Sequence, residues 1–504
     1  MKRIAYPAAV LAAGLVLSQG LFFIVVYRAN LLLYAKLSAM DAAGYLTVPN
    51  AHVAAQLTHI LPAFYGALFF TFTTGAGLCI LAMTAAWIYK RIFNSRRWFV
   101  LLLLVCWIAL LAAINTRGFA FAASLSVLII PPFTFILFLI HMPAEMRPQG
   151  RLVLALQIAA VLMIALVWLP KTDRDVFIDI RDNILLTNTA GKAVNDFYYR
   201  YTLYAANVFK TPGQKQMAAA CTGEIADHDL RLRIETLLTE SDYLPVNRDA
   251  PCDLHVTADN GSLFLSASHH KPLLETRVQD FVASPKRILA DFSRKADSHA
   301  SLRRITVYGL FIALPLSLFL LLHGFLCVLL TPVPQIFLRH AAASVLCAAM
   351  GITFALPLYF SSEDAITSFS EIQAALSSDS QHDQRNALKS IVAESMDPLD
   401  FVIDSAIVNS THVPVRYWYA AALGNSKKEA AAEILRRMLD DPHVNVVCMA
   451  FSGLGRAGGR QAAHDIQQLI ATSDHWYVQW YAYRALRQLG WIQTPSNMNH
   501  GLLQ

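Results

Sequence analysis

Seven long apolar runs are the feature that most constrains this chain. A helix rises about 1.5 Å per residue, so a hydrocarbon core of roughly 30 Å needs about 20 consecutive apolar residues. The seven runs approach or exceed that length, and none of them contains Asp, Glu, Lys or Arg. They are Ile4–Val26, Leu61–Tyr89, Trp98–Ile114, Phe119–Ile140, Leu152–Leu169, Ile305–Leu330 and Ala341–Phe360. We therefore predict a polytopic α-helical membrane protein with about seven spans.

The charges divide the chain into segments of different character. Residues 1–170 and 305–360 together carry twelve Lys or Arg and two acids, whereas residues 171–304 carry 18 of each sign. Residues 361–504 carry eleven basic and fifteen acidic residues, and the whole chain has a net charge of +6. The excess positive charge thus flanks apolar runs, which indicates membrane orientation and not nucleic-acid binding. With 56% hydrophobic and 15% charged residues, the composition also excludes a soluble enzyme and a disordered protein.

These shifts predict four segments. Residues 1–170 form a membrane domain with five spans, and residues 305–360 add two more. Residues 171–304 form an extramembrane mixed α/β domain, and residues 361–504 form a helical-repeat domain. Membrane lipid is accordingly one expected partner, and no nucleic acid is expected.

The loop cations predict the orientation, because Lys and Arg are retained on the cytoplasmic side. With the N-terminus inside, the inner short loops hold nine cations and the outer ones three. Arg303 and Arg304 argue mildly for the opposite orientation, but they end a long domain, where the rule is weak. We expect a bacterial inner-membrane protein with a cytoplasmic N-terminus, an uncleaved first span and periplasmic large domains. The inner cations are Lys2, Arg3, Lys90, Arg91, Arg96, Arg97, Arg147, Arg151 and Arg339, and the outer ones are Arg28, Lys36 and Arg117.

The spans contain little that could carry ions. Pumps and symporters need ionisable groups inside the membrane, and His323 is the only such ring well within a span. His323 either contacts the carbonyl of a neighbouring helix, which is the favoured interpretation, or ligates a haem or metal ion. Between the first two spans, the leucines around Lys36 predict a short amphipathic segment at the outer interface.

Residues 171–304 show shorter apolar patterns. Helical spacing predicts helices near 175–186, 195–208 and after Pro285, and the turn Asp259-Asn260-Gly261 predicts a β-hairpin. The aromatic block 195–204 is expected to supply a core face and interfacial tyrosines, with a ligand-binding aromatic surface as the alternative. Two polar groups lack the spacing of a metal or catalytic site, so we assign no catalytic residue, metal or cofactor. They are Glu224, Asp227, His228 and Asp229, and the pair His269 and His270.

Two of the seven cysteines lie in the middle domain. In a periplasmic domain, Cys221 and Cys252 could form a disulfide closing a loop of about 32 residues, with two free thiols as the alternative. The other cysteines lie in the apolar runs or in the tail.

A repeat is visible in the tail. His412 to Gly424 and His443 to Gly455 match at an offset of 31, and His475 to Leu486 follows at 32. Such a period predicts stacked helical units, with glycine caps at Gly424 and Gly455 and the three histidines at helix starts.

The repeat also resembles a known family. Asp441-Pro442-His443-Val444, and Val415-Arg416 through Ala422-Leu423-Gly424, resemble the short bacterial HEAT-like repeat of the phycobilisome-lyase type. The resemblance covers about 125 residues and implies an α-solenoid that binds another macromolecule. Lyase activity does not follow from it, because the scaffold serves many functions. The aromatic side chains of the repeats are the candidate partner-binding residues: Trp418, Trp476, Tyr477, Trp480, Tyr481 and Tyr483.

Together these features predict a membrane scaffold or assembly protein without chemistry of its own. Its partner would be another envelope or membrane protein, bound through the HEAT-like repeats. A membrane component of a transport system is one alternative. The other is a membrane enzyme, which would require Asp227, His228 or His255 to line a cleft.

Overall fold

The computed structural model describes residues 6–116, 118–143, 148–207, 209–267, 272–360 and 368–494, so His269 and His270 lie outside the described residues. The chain forms two compact units. Unit 1 comprises Met1–Ala29, Ile60–Val176 and Asp297–Pro357. Unit 2 comprises Asn30–His59, Phe177–Ala296 and Leu358–Gln504. Unit 2 therefore contains the predicted repeat domain and most of the predicted α/β domain, of which residues 171–176 and 297–304 belong to unit 1.

Unit 1 is built from apolar helices. Each of the seven predicted runs forms a helix that is long and apolar enough to cross a membrane. The second and the sixth helix each contain one π turn, at Thr71–Gly75 and Gly309–Ala313. The helices are Tyr6–Ala42, Ile60–Arg91, Arg97–Ile114, Phe121–His141, Pro148–Trp168, Ala300–Leu329 and Ile336–Phe360.

Small residues let these helices approach closely. A Cβ atom added to Gly75 would lie 2.6 Å from Cβ of Ser18, and one added to Gly309 would lie 2.4 Å from the carbonyl oxygen of Thr73. The two π turns pack against each other near a hydrogen bond of 2.8 Å between the hydroxyls of Thr74 and Thr306. Close approach through glycine is common where apolar helices associate.

The first helix is longer than its apolar run. It continues without a break to Ala42, so the predicted interfacial segment around Lys36 is wrong. Leu37 and Met40 are instead buried in the core of unit 2. The ammonium group of Lys36 lies 2.6 Å from Oδ1 of Asp253, and Lys215 lies 2.8 Å from the same oxygen. Burial favours the neutral acid, but the two ammonium groups outweigh it and lower the pKa of Asp253 to about 2.

Unit 2 contains a five-stranded mixed sheet in the order β2-β1-β3-β4-β5. Strand β1 is parallel to β2 and β3, and the other neighbours are antiparallel. The predicted hairpin is confirmed as β3 and β4, with Asn260 and Gly261 at φ 47° and 80° in the turn. The strands are Ala218–Cys221, Tyr243–Pro245, Leu254–Asp259, Ser262–Ser266 and Leu274–Arg277.

The two faces of β1 belong to different cores. Ala218 and Ala220 pack with helices His228–Glu240 and Pro285–Lys295, whereas Ala219 and Cys221 belong to the core that the repeats share. This division follows from the alternation of side chains along a strand. The remaining helices before the repeats are Ala51–Ala55, Val176–Ile180, Thr189–Phe197, Leu203–Asn207 and Val278–Ala283, with π turns at Arg181–Leu185 and Tyr198–Thr202 and short 3-10 turns at Gln56–Thr58, Leu169–Lys171 and Pro212–Gln214.

The described residues of the tail form helices that are joined by turns and loops. Consecutive repeats are joined by a partly buried ion pair, in which Arg416 donates to both carboxylate oxygens of Asp441 at 2.6 and 3.0 Å. Asp441 thereby links the Asp-Pro start of one repeat to the arginine of the preceding one. The helices are Phe369–Leu376, Gln381–Ala393, Ser405–Val408, Val413–Leu423, Glu429–Arg437, Val444–Ala457, Arg460–Thr472 and Trp476–Gln488, with 3-10 turns at Pro398–Asp400 and Met438–Asp440.

The repeat glycines serve close packing and not left-handed caps. Gly424 has a right-handed φ of −65°, and Gly455 lies inside a helix, so the predicted caps are wrong. A Cβ atom added to Gly424 would lie 2.5 Å from the guanidinium of Arg456, and one at Gly455 would lie 2.9 Å from Cα of Ala485. Each glycine therefore leaves room for the next repeat.

Replacing Arg416 by Ala should destabilise the repeats by about 2–4 kcal/mol, because it leaves the carboxylate of Asp441 buried without its main partner. Chemical unfolding of the detergent-solubilised chain, followed by tryptophan fluorescence, measures the change. Lys428→Met removes an exposed ammonium group that pairs with Asp397 and Asp400 in the same domain and should change little. Equal effects of the two substitutions would contradict a special role for the Arg416 pair.

Candidate interaction surface of the repeat helices

Four repeat helices pack side by side in sequence order. We call them the helix row, and they are Gln381–Ala393, Val413–Leu423, Val444–Ala457 and Trp476–Gln488. Five of the six aromatic residues predicted to bind a partner belong to the last helix of the row, and Trp418 belongs to the second. The row is therefore the part of the chain where a partner site was expected.

Residues 177–207 lie along this row, and we call them the covering segment. At its start, Arg181 pairs with Asp182 at 2.7 Å and stacks its guanidinium 3.8 Å above the ring of Tyr417. The indole Nε1 of Trp418 donates to the other carboxylate oxygen of Asp182 at 2.8 Å. Arg385, on the first helix of the row, donates to the side chain of Asn183. Two helices of the row thus hold one turn of the covering segment.

The later residues of the covering segment reach the later helices of the row. The amide of Asn195 donates to Oδ1 of Asn445 at 3.0 Å, on the third helix. The ring of Tyr199 lies 4.7 Å from that of Tyr477, on the fourth. Successive parts of the covering segment therefore contact successive repeats, as an extended ligand of a solenoid does.

The last repeat is contacted from two further directions. Gln479 accepts a hydrogen bond of 2.8 Å from the backbone N–H of Asn50. The side-chain amide of Asn50 donates to the backbone carbonyls of Ile470, Ala471 and Ser473, which precede the last helix. Tyr483 donates to Asp242 at 2.6 Å, and Arg487 lies 3.2 Å from the same carboxylate. Burial raises the pKa of both Asp242 and Tyr483. The last helix is thus packed within unit 2 by its own chain.

The six predicted partner-binding residues differ in how much of them remains exposed. Trp476 is 9% exposed and Tyr483 is fully buried, so neither presents a free surface in this arrangement. The other four, Trp418, Tyr477, Trp480 and Tyr481, are half-buried. Their role in partner binding stays a prediction, and the structure assigns them intramolecular contacts.

The repeat histidines lie at helix starts, as predicted. The imidazole Nδ1 of His443 accepts from the N–H of Asn445 at 3.3 Å, and that of His475 accepts from Tyr477 at 3.2 Å. Such a cap requires a neutral ring, because a protonated imidazole has no acceptor. Burial, aided by the cation of Arg200, lowers the pKa of His475 to about 4, and burial also lowers that of His443.

Cys221 and Cys252 form a disulfide in the structure, with their Cα atoms 6.0 Å apart. The imidazole of His255 lies within 4.8 Å of both sulfurs, so the same three side chains could ligate a metal ion if the thiols were reduced. Asp227 caps the helix His228–Glu240 by accepting from two backbone N–H groups, which explains part of the charged cluster predicted at a helix start.

The repeats also form an open pocket of about 890 Å³. Its walls combine apolar side chains such as Leu399 and Ile434 with polar groups such as Asn409 and Arg437. Segment 398–411 supplies most of these residues, residues 434–442 supply most of the others, and the covering segment supplies none.

The comparison with known families agrees with this architecture. The family model for HEAT repeats matches residues 402–487, which confirms the HEAT-like resemblance of the tail. No curated protein and no solved structure matches the chain.

The covering segment is the part of this surface that sequence reasoning missed. Its aromatic block is visible in the sequence, but nothing in the residues specifies the repeat helices as its contact. The one available signal was charge, since Arg181 and Asp182 stand side by side between the apolar residues Ile180 and Ile184 of the predicted helix. A buried pair of this kind requires polar partners from another element.

Lowering the pH should destabilise the last repeat through His475. Between pH 6.5 and about 4 the unfolded chain binds a proton that the folded ring does not, so the free energy of unfolding falls by about 1–3 kcal/mol. Hydrogen exchange of the last helix, corrected for intrinsic rates, measures this loss of protection. His475→Asn keeps an acceptor and should flatten the dependence, whereas His464→Asn, at an exposed ring, should leave it unchanged. An unchanged dependence in His475→Asn would contradict the assignment.

Proposed function

We propose that the chain is a membrane-anchored scaffold that binds another envelope protein through its HEAT repeats. The observation that carries the proposal is the combination, in one chain, of seven helices with the length and composition of membrane spans and a matched HEAT-repeat domain. HEAT repeats are used chiefly for binding other macromolecules. A membrane anchor would restrict that binding to partners at or near the bilayer.

The open pocket is the surface that we propose for the partner. The helix row is already in contact with the covering segment, so a partner there would have to replace buried ion pairs and hydrogen bonds. The pocket offers apolar walls with polar groups among them, which suits an extended peptide segment. The half-buried aromatics, Trp480 above all, remain the competing surface.

The proposed compartment is the periplasm of a bacterial cell, with the N-terminus in the cytoplasm. The loop cations support this orientation, and the disulfide between Cys221 and Cys252 suits an oxidising compartment. Transport remains the second candidate function, favoured only by the spans themselves. A membrane enzyme is less well supported, because Asp227 caps a helix and His255 is buried beside the disulfide.

A photo-crosslinking amino acid tests the partner surface in cells. Placed at Asn409, exposed at the rim of the pocket, it should yield an adduct between the full chain and a second protein. The same reagent at Trp480 should yield mainly intramolecular products, since that ring lies beside Tyr477 and Tyr481. Heterologous adducts from Trp480 and none from Asn409 would instead support the aromatic surface.

A reporter that is active only outside the cytoplasm tests the topology. Fused after Gln504, it should be active, because seven crossings place the two ends of the membrane region on opposite sides. Fused in the loop near Arg96, between the second and third apolar helices, it should be silent. The reverse pattern would overturn the proposed orientation and, with it, the periplasmic disulfide.

A further inference from the structure

Three side chains of the types that ligate metals meet inside unit 1. His323 and Cys327 are four residues apart on the sixth apolar helix and so share one face, and His340 lies in the second turn of the seventh. All three are buried, at 5%, 2% and 8% exposure, and their ligand atoms lie within 4.8 Å of one another. The sequence favours a contact between His323 and a helix carbonyl, but the structure places it against these side chains and Gln157.

The distances suit a single metal ion. Metal–sulfur and metal–nitrogen bonds of about 2.3 and 2.0 Å place the sulfur roughly 3.5–3.7 Å from each nitrogen in tetrahedral or trigonal geometry. The thiol sulfur of Cys327 lies 3.4 Å from Nδ1 of His340 and 3.8 Å from Nδ1 of His323. The amide of Gln157 lies 3.2 Å from Nε2 of His323 and can hold that ring in place.

The charges around these three side chains favour a monovalent metal ion. The seven apolar runs contain no Asp or Glu, and Arg339, the neighbour of His340, is buried and donates to the carbonyls of Thr331 and Val333. A thiolate with two neutral imidazoles has a net charge of −1 and so neutralises a monovalent ion, whereas Zn²⁺ would leave a buried positive charge beside Arg339. Copper also accepts a trigonal set of two histidines and one cysteine, and a thiolate favours Cu(I).

We propose that His323, Cys327 and His340 bind one Cu(I) ion. Binding forms one Cu–S and two Cu–N bonds and releases the thiol proton of Cys327 to solvent or buffer, without a change in oxidation state. The bound ion would tie the sixth apolar helix to the seventh. This site is independent of the partner surface on the repeats, so either proposal can fail without the other.

Anaerobic titration of the purified full chain in detergent with Cu(I), against a competing chromogenic chelator, tests the proposal. The wild type should bind one Cu(I) per chain. Cys327→Ser and His340→Ala should weaken binding by about 100-fold or more. The matched controls Cys79→Ser, at a buried cysteine, and His141→Ala, at an exposed ring, should bind as the wild type does.

A second measurement uses the wild type alone, so it does not depend on whether the variants fold. The X-ray absorption spectrum of the copper-loaded wild type should show one sulfur and two nitrogen scatterers. Retention of tight binding in both Cys327→Ser and His340→Ala, a spectrum without sulfur, or tighter binding of Zn²⁺ than of Cu(I) would each overturn the proposal.

Discussion

The buried pair of Arg181 and Asp182 is the interaction on which the arrangement of unit 2 depends. Asp182 is 1% exposed, and its two carboxylate oxygens accept from Arg181 and Trp418 at 2.7 and 2.8 Å. A carboxylate without such partners would be costly in this position, because burial removes its hydration. The partners come from the covering segment and from the repeats, so neither element satisfies the charge alone. The pair therefore fixes which turn of the segment meets which repeat.

Two consequences follow for the repeats. Their helix row is covered within the chain from Arg385 to Tyr477, so the helices that carry the predicted partner-binding aromatics already make contacts within the chain. The second face of the sheet joins the same core through Ala219 and Cys221, which makes the α/β and repeat segments one unit. The open pocket is lined by none of the covering segment, so the chain's own contacts along the row leave it uncovered.

Local sequence patterns predicted the secondary structure of this chain better than its tertiary contacts. The apolar runs, the hairpin at Asn260-Gly261 and the helix starts at His443 and His475 depend on neighbouring residues, and each was predicted correctly. The left-handed cap predicted at Gly424 is wrong, because a helix cap and a close packing contact both favour glycine. The covering segment depends on pairings over long separations, which periodicity does not encode. In the cluster around Cys327, His323 lies four residues away on the same helix, but the approach of His340 and Gln157 from other helices depends on tertiary packing.

Asp182 and Trp418 together hold the covering segment against the repeats. A double-mutant cycle with Asp182→Asn and Trp418→Phe, measured by chemical unfolding of the full chain, isolates that coupling. We expect a coupling free energy of about 1–3 kcal/mol, since the carboxylate is buried and charge-assisted hydrogen bonds are strong. Additive effects, with a coupling near zero, would show that the segment and the repeats are not joined through this pair and would contradict the account.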